Sequence, residues 1–337
     1  MKFDVIIGNP PYQETRENTS DGPVYDRYMD EAYKLAKIVE LITPARFLFN
    51  AGRTHKHWNK KMLNDEYFNV LRYEPDSKKI FSNTDIKGGV IISIRNSKKK
   101  VGKIEVFTSY QKLNSILHKM KRESYDSLSS IMYPYSTYSL NEELFCDFPE
   151  LKNILSNYKI ITTNIFDLLS MLFVDEPKNK EEFCCLLGRQ NNQRVFKYIN
   201  KKYINTGNNY TKYKVIIPKS NGSGTFGENL SSPLIAEPFI GYTQSFLGIG
   251  ALNTIYEAQS LIKYISSKFT RALLGILKST QDNPPEKWKY VPLQDFTENS
   301  DIDWSKSIHE IDLQLYKKYG LSEEEIQFIE TKVKPME

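Results

Sequence analysis

The chain has 337 residues and a formal net charge of +5. This length suits two domains with sizeable cores, and the mildly basic charge permits a polyanionic partner without requiring one. No apolar segment approaches the roughly 20 residues needed to cross a bilayer, and the N-terminal sequence is too short and acidic for a signal peptide. We therefore expect a cytoplasmic protein that does not associate with a membrane.

Cysteine and histidine are too sparse and too scattered to suggest a metal site. The three cysteines, Cys146, Cys184 and Cys185, lack the spacing of metal ligands and cannot all pair in disulfides. The four histidines form no ligand set either. We predict reduced thiols and no bound metal.

The first predicted element is a short apolar strand, residues 3–8, that leads directly into Asn9, Pro10, Pro11 and Tyr12. An exocyclic amine of a nucleobase is a poor nucleophile, because its lone pair is delocalised into the ring, so a catalyst must hold it with hydrogen-bond acceptors. The Asn9 side-chain oxygen and the Pro10 carbonyl can accept the two N–H groups, and the prolines fix the backbone that aims this carbonyl. This Asn-Pro-Pro-Tyr motif predicts methylation of a base amine.

Tyr12 adds an aromatic face to the predicted site. A base inside a duplex cannot reach such a site, so the target has to swing out of the helix, and stacking on Tyr12 offsets part of the lost base stacking. The alternative is structural, since Asn-Pro-Pro also starts a turn after a buried strand. The strand that precedes the motif favours the functional interpretation, because a motif gains weight from its structural context.

The next predicted elements alternate between helices and strands. Residues 13–23 are polar and predict a mobile loop, which is either a lid over a bound base or an ordinary surface connection. Helical periodicity follows at residues 25–36 and 53–64, and apolar strands are predicted at residues 39–44, 69–73 and 89–94. This order predicts an α/β sheet whose last two strands are antiparallel.

A charged, glycine-containing stretch at residues 96–102 marks either a domain boundary or a solvated hairpin tip. Beyond it, short apolar stretches among Tyr, Ser, Asn and Lys predict a separate domain. Gly320 is expected to end one C-terminal helix, and Ser322 with Glu325 forms a capping box for the next. The helices predicted in this second part cover residues 110–119, 141–157, 256–278, 305–319 and 322–332.

The second predicted domain contains a segment suited to reading DNA. Residues 186–196 are dense in Arg, Gln and Asn, whose side chains pair with guanine or adenine edges, and nearby lysines, including Lys201, Lys202 and Lys214, could neutralise phosphates. Polar surface loops share this composition, so an ordinary surface segment is the alternative. The predicted DNA-binding residues are Arg189, Gln190, Asn192, Arg194, Lys197 and Lys212.

Methyl transfer also needs a donor site, which is normally a glycine-rich turn between a strand and a helix, followed by an acidic residue at the end of the next strand. Two stretches imitate such a turn, residues 220–225 and 246–250, and would give a permuted enzyme with its catalytic half first. The helix after the second stretch leads to no apolar strand that ends in an acid. We therefore expect the donor half to lie on another polypeptide or to have been lost.

Residues 3–94, with the Asn-Pro-Pro-Tyr motif, resemble the catalytic half of the adenine-specific DNA methyltransferases of restriction-modification systems. Residues 243–246, 268–271, 291–296 and 301–304 are similar to the C-terminal segment of restriction methylases that carry a target-recognition domain. The resemblance implies the C-terminal half of a Rossmann-like methyltransferase sheet at residues 1–107. A mixed α+β target-recognition domain with C-terminal helices would follow at residues 108–337.

The resemblance also implies roles for individual residues. Asn9 and Pro10 would bind the target amine, with Pro11 as part of the same rigid motif, and Tyr12 would stack on the flipped adenine. Phe81 is expected on the other face of the base, or else as an ordinary core aromatic. The implied methyl donor is S-adenosylmethionine, the implied substrate is double-stranded DNA, and a complementary methyltransferase chain or a restriction nuclease is the implied protein partner.

Two other functions fit parts of the sequence. Asp76, Asp85 and Lys87 imitate the pattern with which nucleases bind Mg²⁺ and position a lysine near the phosphate. The chain could instead be a DNA-recognition module without its own donor site, inactive without a complementary chain. In that case a parallel sheet cut at its middle would expose an apolar edge that needs a partner.

Overall fold

The computed structural model describes residues 3–16, 19–51, 53–82, 86, 88–122, 125–155, 159–278 and 280–336. The chain divides into two compact units, Met1–His118 and Lys119–Glu337. The division falls inside a helix, Gln111–Arg122, and not at residue 107. The assignment of residues 1–107 to catalysis and 108–337 to recognition stays a prediction.

The first unit is built mainly of strands with two helices between them. Its elements are β1 (Phe3–Gly8), β2 (Gln13–Arg16), β3 (Thr19–Pro23), α1 (Tyr25–Leu35), β4 (Ala36–Pro44), α2 (Lys56–Leu63), β5 (Phe68–Glu74), β6 (Val90–Asn96) and α3 (Gln111–Arg122), which continues into the second unit.

Four strands of the first unit form one sheet in the order β1-β4-β6-β5. β1 and β4 are parallel, with Gly8 opposite Leu41 at their carboxyl ends. β6 is antiparallel to both β4 and β5. The predicted α/β order with an antiparallel last pair is therefore confirmed, and β1 lies at the edge of the sheet.

The two faces of this sheet are packed very differently. One face carries Val39 and Leu41, which join a buried core with residues of α1 and α2 such as Met29 and Met62. The other, which we call the outer face, carries Glu40 between Ile7 and Ile94 and otherwise consists of alternate apolar residues that the strand registers place side by side. These residues are Phe3, Val5 and Ile7 on β1, Ile38 and Ile42 on β4, and Ile92 and Ile94 on β6.

The segment after the motif differs from the prediction. Residues 13–23, expected as a loop, contain β2 and β3, which pair as an antiparallel hairpin with Gln13 opposite Pro23. Polar composition hid this pairing, since the hairpin carries no apolar alternation. Residues 96–102 are neither the boundary nor a hairpin tip, because Val101 N donates to Glu66 O and returns the chain to the start of β5.

The second unit mixes short strands and helices. Its elements are β7 (Met132–Tyr133), β8 (Ser139–Leu140), α4 (Glu142–Asp147), α5 (Leu151–Ile154), α6 (Ile165–Leu168), β9 (Phe183–Gln190), β10 (Gln193–Asn200), β11 (Ile204–Asn205), β12 (Tyr213–Pro218), β13 (Leu234–Ala236), β14 (Ile240–Tyr242), β15 (Phe246–Leu252), α7 (Ile255–Ser266), α8 (Lys268–Leu274), α9 (Ile308–Lys318) and α10 (Glu323–Lys332).

Two larger sheets organise this unit, in the orders β10-β9-β14 and β13-β12-β15-β7. They share one hydrophobic core, to which β9 contributes Leu186 and Leu187 and β15 contributes Phe246. The long helix predicted at residues 256–278 is interrupted at Ser267, whose extended backbone ends α7 and caps α8. The helix predicted at residues 141–157 is likewise divided into α4 and α5.

The C-terminal helices agree with the prediction. Capping boxes open α9 at Ser307 and α10 at Ser322, and Gly320 has φ of 57° after α9. Within the described ranges no helix is long and apolar enough to cross a membrane. The three cysteines are free, with Cys184 and Cys185 buried.

Candidate functional site: the Asn-Pro-Pro-Tyr motif and the β9–β10 hairpin

The Asn-Pro-Pro-Tyr motif lies at the carboxyl end of β1, beside the end of β4. Asn9 and Pro11 are exposed, and Pro10 is half-buried. In the described part of the chain the Asn9 side chain has no hydrogen-bond partner, so its amide oxygen is available to a ligand. The motif is therefore presented to solvent at a strand end and not packed inside the sheet.

Tyr12 is half-buried and shielded in a way that favours its neutral form. Burial raises the pKa of its hydroxyl to about 12. The hydroxyl oxygen is itself buried and has no hydrogen-bond partner among the residues that the structure describes. A buried hydroxyl without a hydrogen-bond partner costs free energy. A ligand that accepts a hydrogen bond from the Tyr12 hydroxyl would remove this cost.

Phe81 lies next to Tyr12, as the sequence suggested. The two ring centroids are 6.4 Å apart and the planes make an angle of 69°. This is an edge-to-face contact, and stacking a base between two rings needs near-parallel planes. The structure thus brings both predicted aromatics together, while the role of Phe81 on the second face of a base stays a prediction.

The β2–β3 hairpin begins directly after the motif and returns to it. Val24 N donates to Tyr12 O at 3.2 Å, where the hairpin closes. Arg27, in α1, forms an ion pair with Glu14 on β2 at 3.2 Å. The closed hairpin and the start of α1 therefore hold the backbone of Tyr12 in place.

The predicted DNA-binding residues fall mostly on one hairpin of the second unit, formed by β9 and β10. Asn191 and Asn192 have φ of 51° and 61°, as a tight two-residue hairpin turn requires. Arg189 lies directly opposite Arg194. Like charges at such a position repel each other, and burial, followed by the charge of Arg189, lowers the pKa of Arg194.

Several of these side chains are already engaged within the protein. Arg194 donates to the carbonyls of Ser232 and Ser231 at 2.7 and 3.1 Å. The other engaged residues are Gln190, which donates to Asp167 at 2.6 Å, Lys197, which is 2.7 Å from Asp175, and Lys212, which donates to Asn253 at 2.7 Å.

Arg189 and Asn192 differ from the other predicted residues. Both are exposed, and neither has a side-chain partner within the described ranges. Lys212 lies just before β12, in the other large sheet. The lysine prediction is wrong for Lys214, which is fully buried and donates to backbone carbonyls.

Neither candidate donor turn fits a nucleotide-like ligand. Residues 246–250 lie within β15, between β12 and β7, and so form no turn. In residues 220–225 the backbone N–H groups of Ser223 and Gly224 donate to the Glu228 carboxylate at 2.8 and 3.0 Å. An internal anion therefore occupies the place that a ligand oxygen would take, and we assign no S-adenosylmethionine site to either stretch.

The nuclease pattern receives no support from the structure. The Asp76 carboxylate accepts a hydrogen bond from Lys78 N and caps a short helix. Asp85 and Lys87 lie outside the described residues. Among the residues that are described, no three His, Cys, Asp or Glu side chains group closely enough to hold a metal ion.

Comparison with known proteins finds a similarity in the first 81 residues. The family model of the Eco57I restriction-modification methylase matches residues 1–81, which contain the Asn-Pro-Pro-Tyr motif. This N-terminal segment is similar to that methylase family. A curated relative from Mycoplasma pneumoniae (strain ATCC 29342 / M129 / Subtype 1), an "Uncharacterized adenine-specific methylase", is 32% identical over 117 residues. The aligned region is 33% of this chain and 28% of the relative, so the methylase match spans about a quarter of that protein.

Solved structures of restriction-modification enzymes align over most of the chain at low similarity. The type IIG restriction endonuclease BpuSI is 10% identical with a TM-score of 0.33, covering 94% of this chain and 48% of that enzyme. The type IIL restriction-modification enzyme MmeI, solved in complex with DNA, is 9% identical with a TM-score of 0.33, covering 98% of this chain and 56% of that enzyme. We draw no fold assignment from superpositions with such scores.

Proposed function

We propose that this chain is the catalytic-motif half and the target-recognition domain of a DNA adenine methyltransferase in a restriction-modification system. The reaction transfers a methyl group from S-adenosylmethionine to the exocyclic amine of an adenine that has been flipped out of a duplex. The observation that carries this proposal is the exposed Asn-Pro-Pro-Tyr motif at the end of β1, inside the segment that matches a methylase family. Because the proposed substrate is DNA, the proposed location is the cytoplasm.

The motif's own atoms account for binding of the amine. The Asn9 amide oxygen is free to accept one N–H, and the Pro10 carbonyl, held by fixed proline torsions, accepts the other. Two acceptors favour a tetrahedral nitrogen, whose lone pair is no longer delocalised into the ring. Tyr12 then supplies an aromatic surface that offsets part of the lost base stacking.

The methyl donor would be held by a second polypeptide segment, because neither glycine-rich stretch of this chain fits it. β1 supports this step. Phe3, Val5 and Ile7 on its outer face are 48%, 48% and 75% exposed, and its free edge pairs with no other described strand. Sheets with parallel strands normally have both faces covered and apolar edges paired. A donor-binding half that adds a strand beside β1 would bury these residues.

A second candidate function rests on the same observation. Without a complementary half, the chain would act as a DNA-recognition module that binds duplex DNA but transfers no methyl group. A restriction nuclease is a further partner that such a module would serve. The two candidates differ in one measurable property, which is whether the chain by itself binds the methyl donor.

The first experiment is therefore a calorimetric titration of the purified chain with S-adenosylmethionine. We expect no saturable heat from the chain alone, together with binding of duplex DNA. Addition of the N-terminal half of a methylase of this family should restore donor binding and transfer of a labelled methyl group to DNA. Saturable donor binding by the chain alone would contradict the need for a second half, and absence of transfer in the reconstituted complex would favour the module.

The reconstituted complex also tests the motif. We expect Asn9→Ala to lower the rate of methyl transfer by about 100- to 1,000-fold, the loss typical for removal of one group that stabilises a transition state. DNA affinity should stay unchanged. Asn69→Ala, at an exposed position on β5, is the matched control and should retain full activity. Equal activity of both variants would exclude Asn9 as the group that binds the amine.

A further inference from the structure

An aromatic side chain in the second unit is held outward in a conformation that aromatic residues rarely adopt. Phe239, in the turn between β13 and β14, has φ of 70° and is 55% exposed. A bulky residue in this left-handed region is strained, and Gly or Asn would occupy the turn without strain. The ring makes an edge-to-face contact with Tyr210, with centroids 5.7 Å apart, and more than half of the side chain stays exposed and available to a ligand.

Three hydrogen bonds fix the Phe239 turn. Phe239 N donates to Tyr210 O at 2.6 Å. The buried ammonium group of Lys214 donates to Ile240 O at 3.0 Å and to Glu237 O at 3.4 Å. These two carbonyls flank Pro238 and Phe239, so Lys214 bridges the two ends of the turn. Burial of the Lys214 ammonium group, which has no carboxylate partner among the described residues, costs free energy. The turn is thus rigid although the ring is exposed.

One positively charged side chain lies close to the ring, and a second follows the hydrogen-bond partner of the turn. The Lys201 ammonium group lies 5.9 Å from the Phe239 ring centroid, and Lys201 is exposed without an ion-pair partner in the described chain. Lys212 follows two residues after Tyr210 and is hydrogen-bonded to the neutral Asn253, so its charge is not neutralised. The exposed acid on this turn is Glu237. A nucleic acid offers bases to the aromatic ring and phosphates to the lysines. It therefore fits this surface better than an apolar protein partner would.

We propose that the Phe239 turn is a second DNA contact of the recognition unit, in which the ring stacks on a base or inserts at a base step while Lys201 and Lys212 meet phosphates. This inference rests on the proposed function, because it requires DNA as the partner. Ile240, next to Phe239, lies opposite Cys185 on β9, and the tip of the β9–β10 hairpin begins at Arg189 on the same strand. The Phe239 contact and the hairpin-tip contact are therefore roughly 15 Å apart along β9. That separation corresponds to about four or five base pairs.

Fluorescence anisotropy with a mixed-sequence 30-base-pair duplex tests the proposal over a range of salt concentrations. We expect Phe239→Ala to weaken binding about tenfold with an unchanged salt slope, because the ring carries no charge. Lys201→Ala should reduce the slope by about one, since it removes one phosphate contact. Phe239→Trp should bind as wild type. Leu313→Ala, a half-exposed apolar position on α9, is the control and should also bind as wild type.

Phe239→Gly separates a binding role from a structural one. Glycine relieves the backbone strain but removes the edge-to-face contact with Tyr210, so thermal stability should stay close to that of the wild type, while affinity falls as far as in Phe239→Ala. Wild-type affinity in both variants, alongside weakened binding by Arg189→Ala, would overturn the Phe239 contact and leave the proposed function intact. Absence of DNA binding by the wild-type chain would overturn both.

Discussion

The two units differ in how fully their own residues satisfy the groups that are costly to expose or to bury. In the second unit, buried charges find partners within the unit: Arg271 donates to Ser266 O and Asn229 Oδ1, and Asp312 accepts from Lys268 N and Phe269 N. In the first unit, the apolar outer side of β1 faces solvent. The second unit therefore satisfies its buried charges internally, whereas an apolar sheet face of the first unit is left for a partner that we propose to be the donor-binding half.

The largest expected effect concerns the ion pair of Glu228 and Lys278, whose side chains are only 15% and 5% exposed. Glu228→Ala would leave the Lys278 ammonium group buried and would remove the acceptor for Ser223 N and Gly224 N. We expect a loss of about 3–5 kcal/mol in the free energy of unfolding of the second unit, measured by urea denaturation.

Asp147→Ala is the matched control for this variant. The Asp147–Lys202 pair has a similar separation of 2.7 Å, but its side chains are 45% and 49% exposed. Because solvent screens such a pair, its removal should cost much less than the loss of Glu228. Equal losses in the two variants would contradict the view that the second unit depends on internal satisfaction of buried charge.

Asp312 gives the second unit a pH dependence with a defined sign. Burial raises the pKa of this carboxyl to about 6, although hydrogen bonds from Phe269 N and Lys268 N act in the opposite direction. The folded state therefore binds the proton more tightly than the unfolded state, whose Asp pKa is about 3.9. This group's contribution to stability is fully present below about pH 4 and falls by about 2–3 kcal/mol as the pH rises through 6.

The measurement is the difference in unfolding free energy between the wild type and Asp312→Asn at a series of pH values. Asparagine does not titrate in this range, so the difference should change between pH 4 and 7 and become constant above it. A difference that does not depend on pH would show that Asp312 has an ordinary pKa in the folded state. His309→Gln, on the same helix, is the control variant.

Substitution of two neighbouring isoleucines on β1 tests whether a partner buries the outer face of the first unit. Ile6 packs against the buried core, whereas Ile7 points from the outer face and is 75% exposed. We expect Ile6→Ala to destabilise the first unit by about 2 kcal/mol and Ile7→Ala by less than about 0.5 kcal/mol in the chain alone. In a complex with a donor-binding half, Ile7→Ala should become as costly as Ile6→Ala, because the outer face would then be buried.

The smallest expected effect is a difference in DNA affinity between two substitutions on the β9–β10 hairpin, one at a side chain without a partner and one at a side chain in an ion pair. Arg189 has no partner in the described chain, whereas Lys197 lies 2.7 Å from Asp175. We expect Arg189→Ala to weaken DNA binding about tenfold, and Lys197→Ala to weaken it less, since Asp175 already neutralises that charge. Anisotropy titrations at one salt concentration distinguish them, and the reverse order would contradict the assignment of the hairpin tip as the base-reading element.

Patterns local in the sequence predicted much of the fold. Apolar runs and helical periodicity gave β1, α1, β4, α2 and the antiparallel pair β5 and β6, because each pattern reflects which side of one element is buried. The capping box of Ser322 and Glu325 needed only residues three positions apart. The β2–β3 hairpin and the break at Ser267 were missed, since polar strands and helix interruptions have weak local signals.

The Asn-Pro-Pro-Tyr motif and its place after a strand could be read from the amino-acid sequence, because that chemistry resides in consecutive residues with fixed torsions. Only the tertiary structure decided which charges remain available: it buried Lys214, engaged Arg194 with backbone carbonyls and left Arg189 exposed. It also revealed Phe239, whose strained turn depends on a hydrogen bond to Tyr210 and on a buried lysine in another strand. Such contacts join residues far apart in the chain, and their energies depend on burial, which composition does not specify.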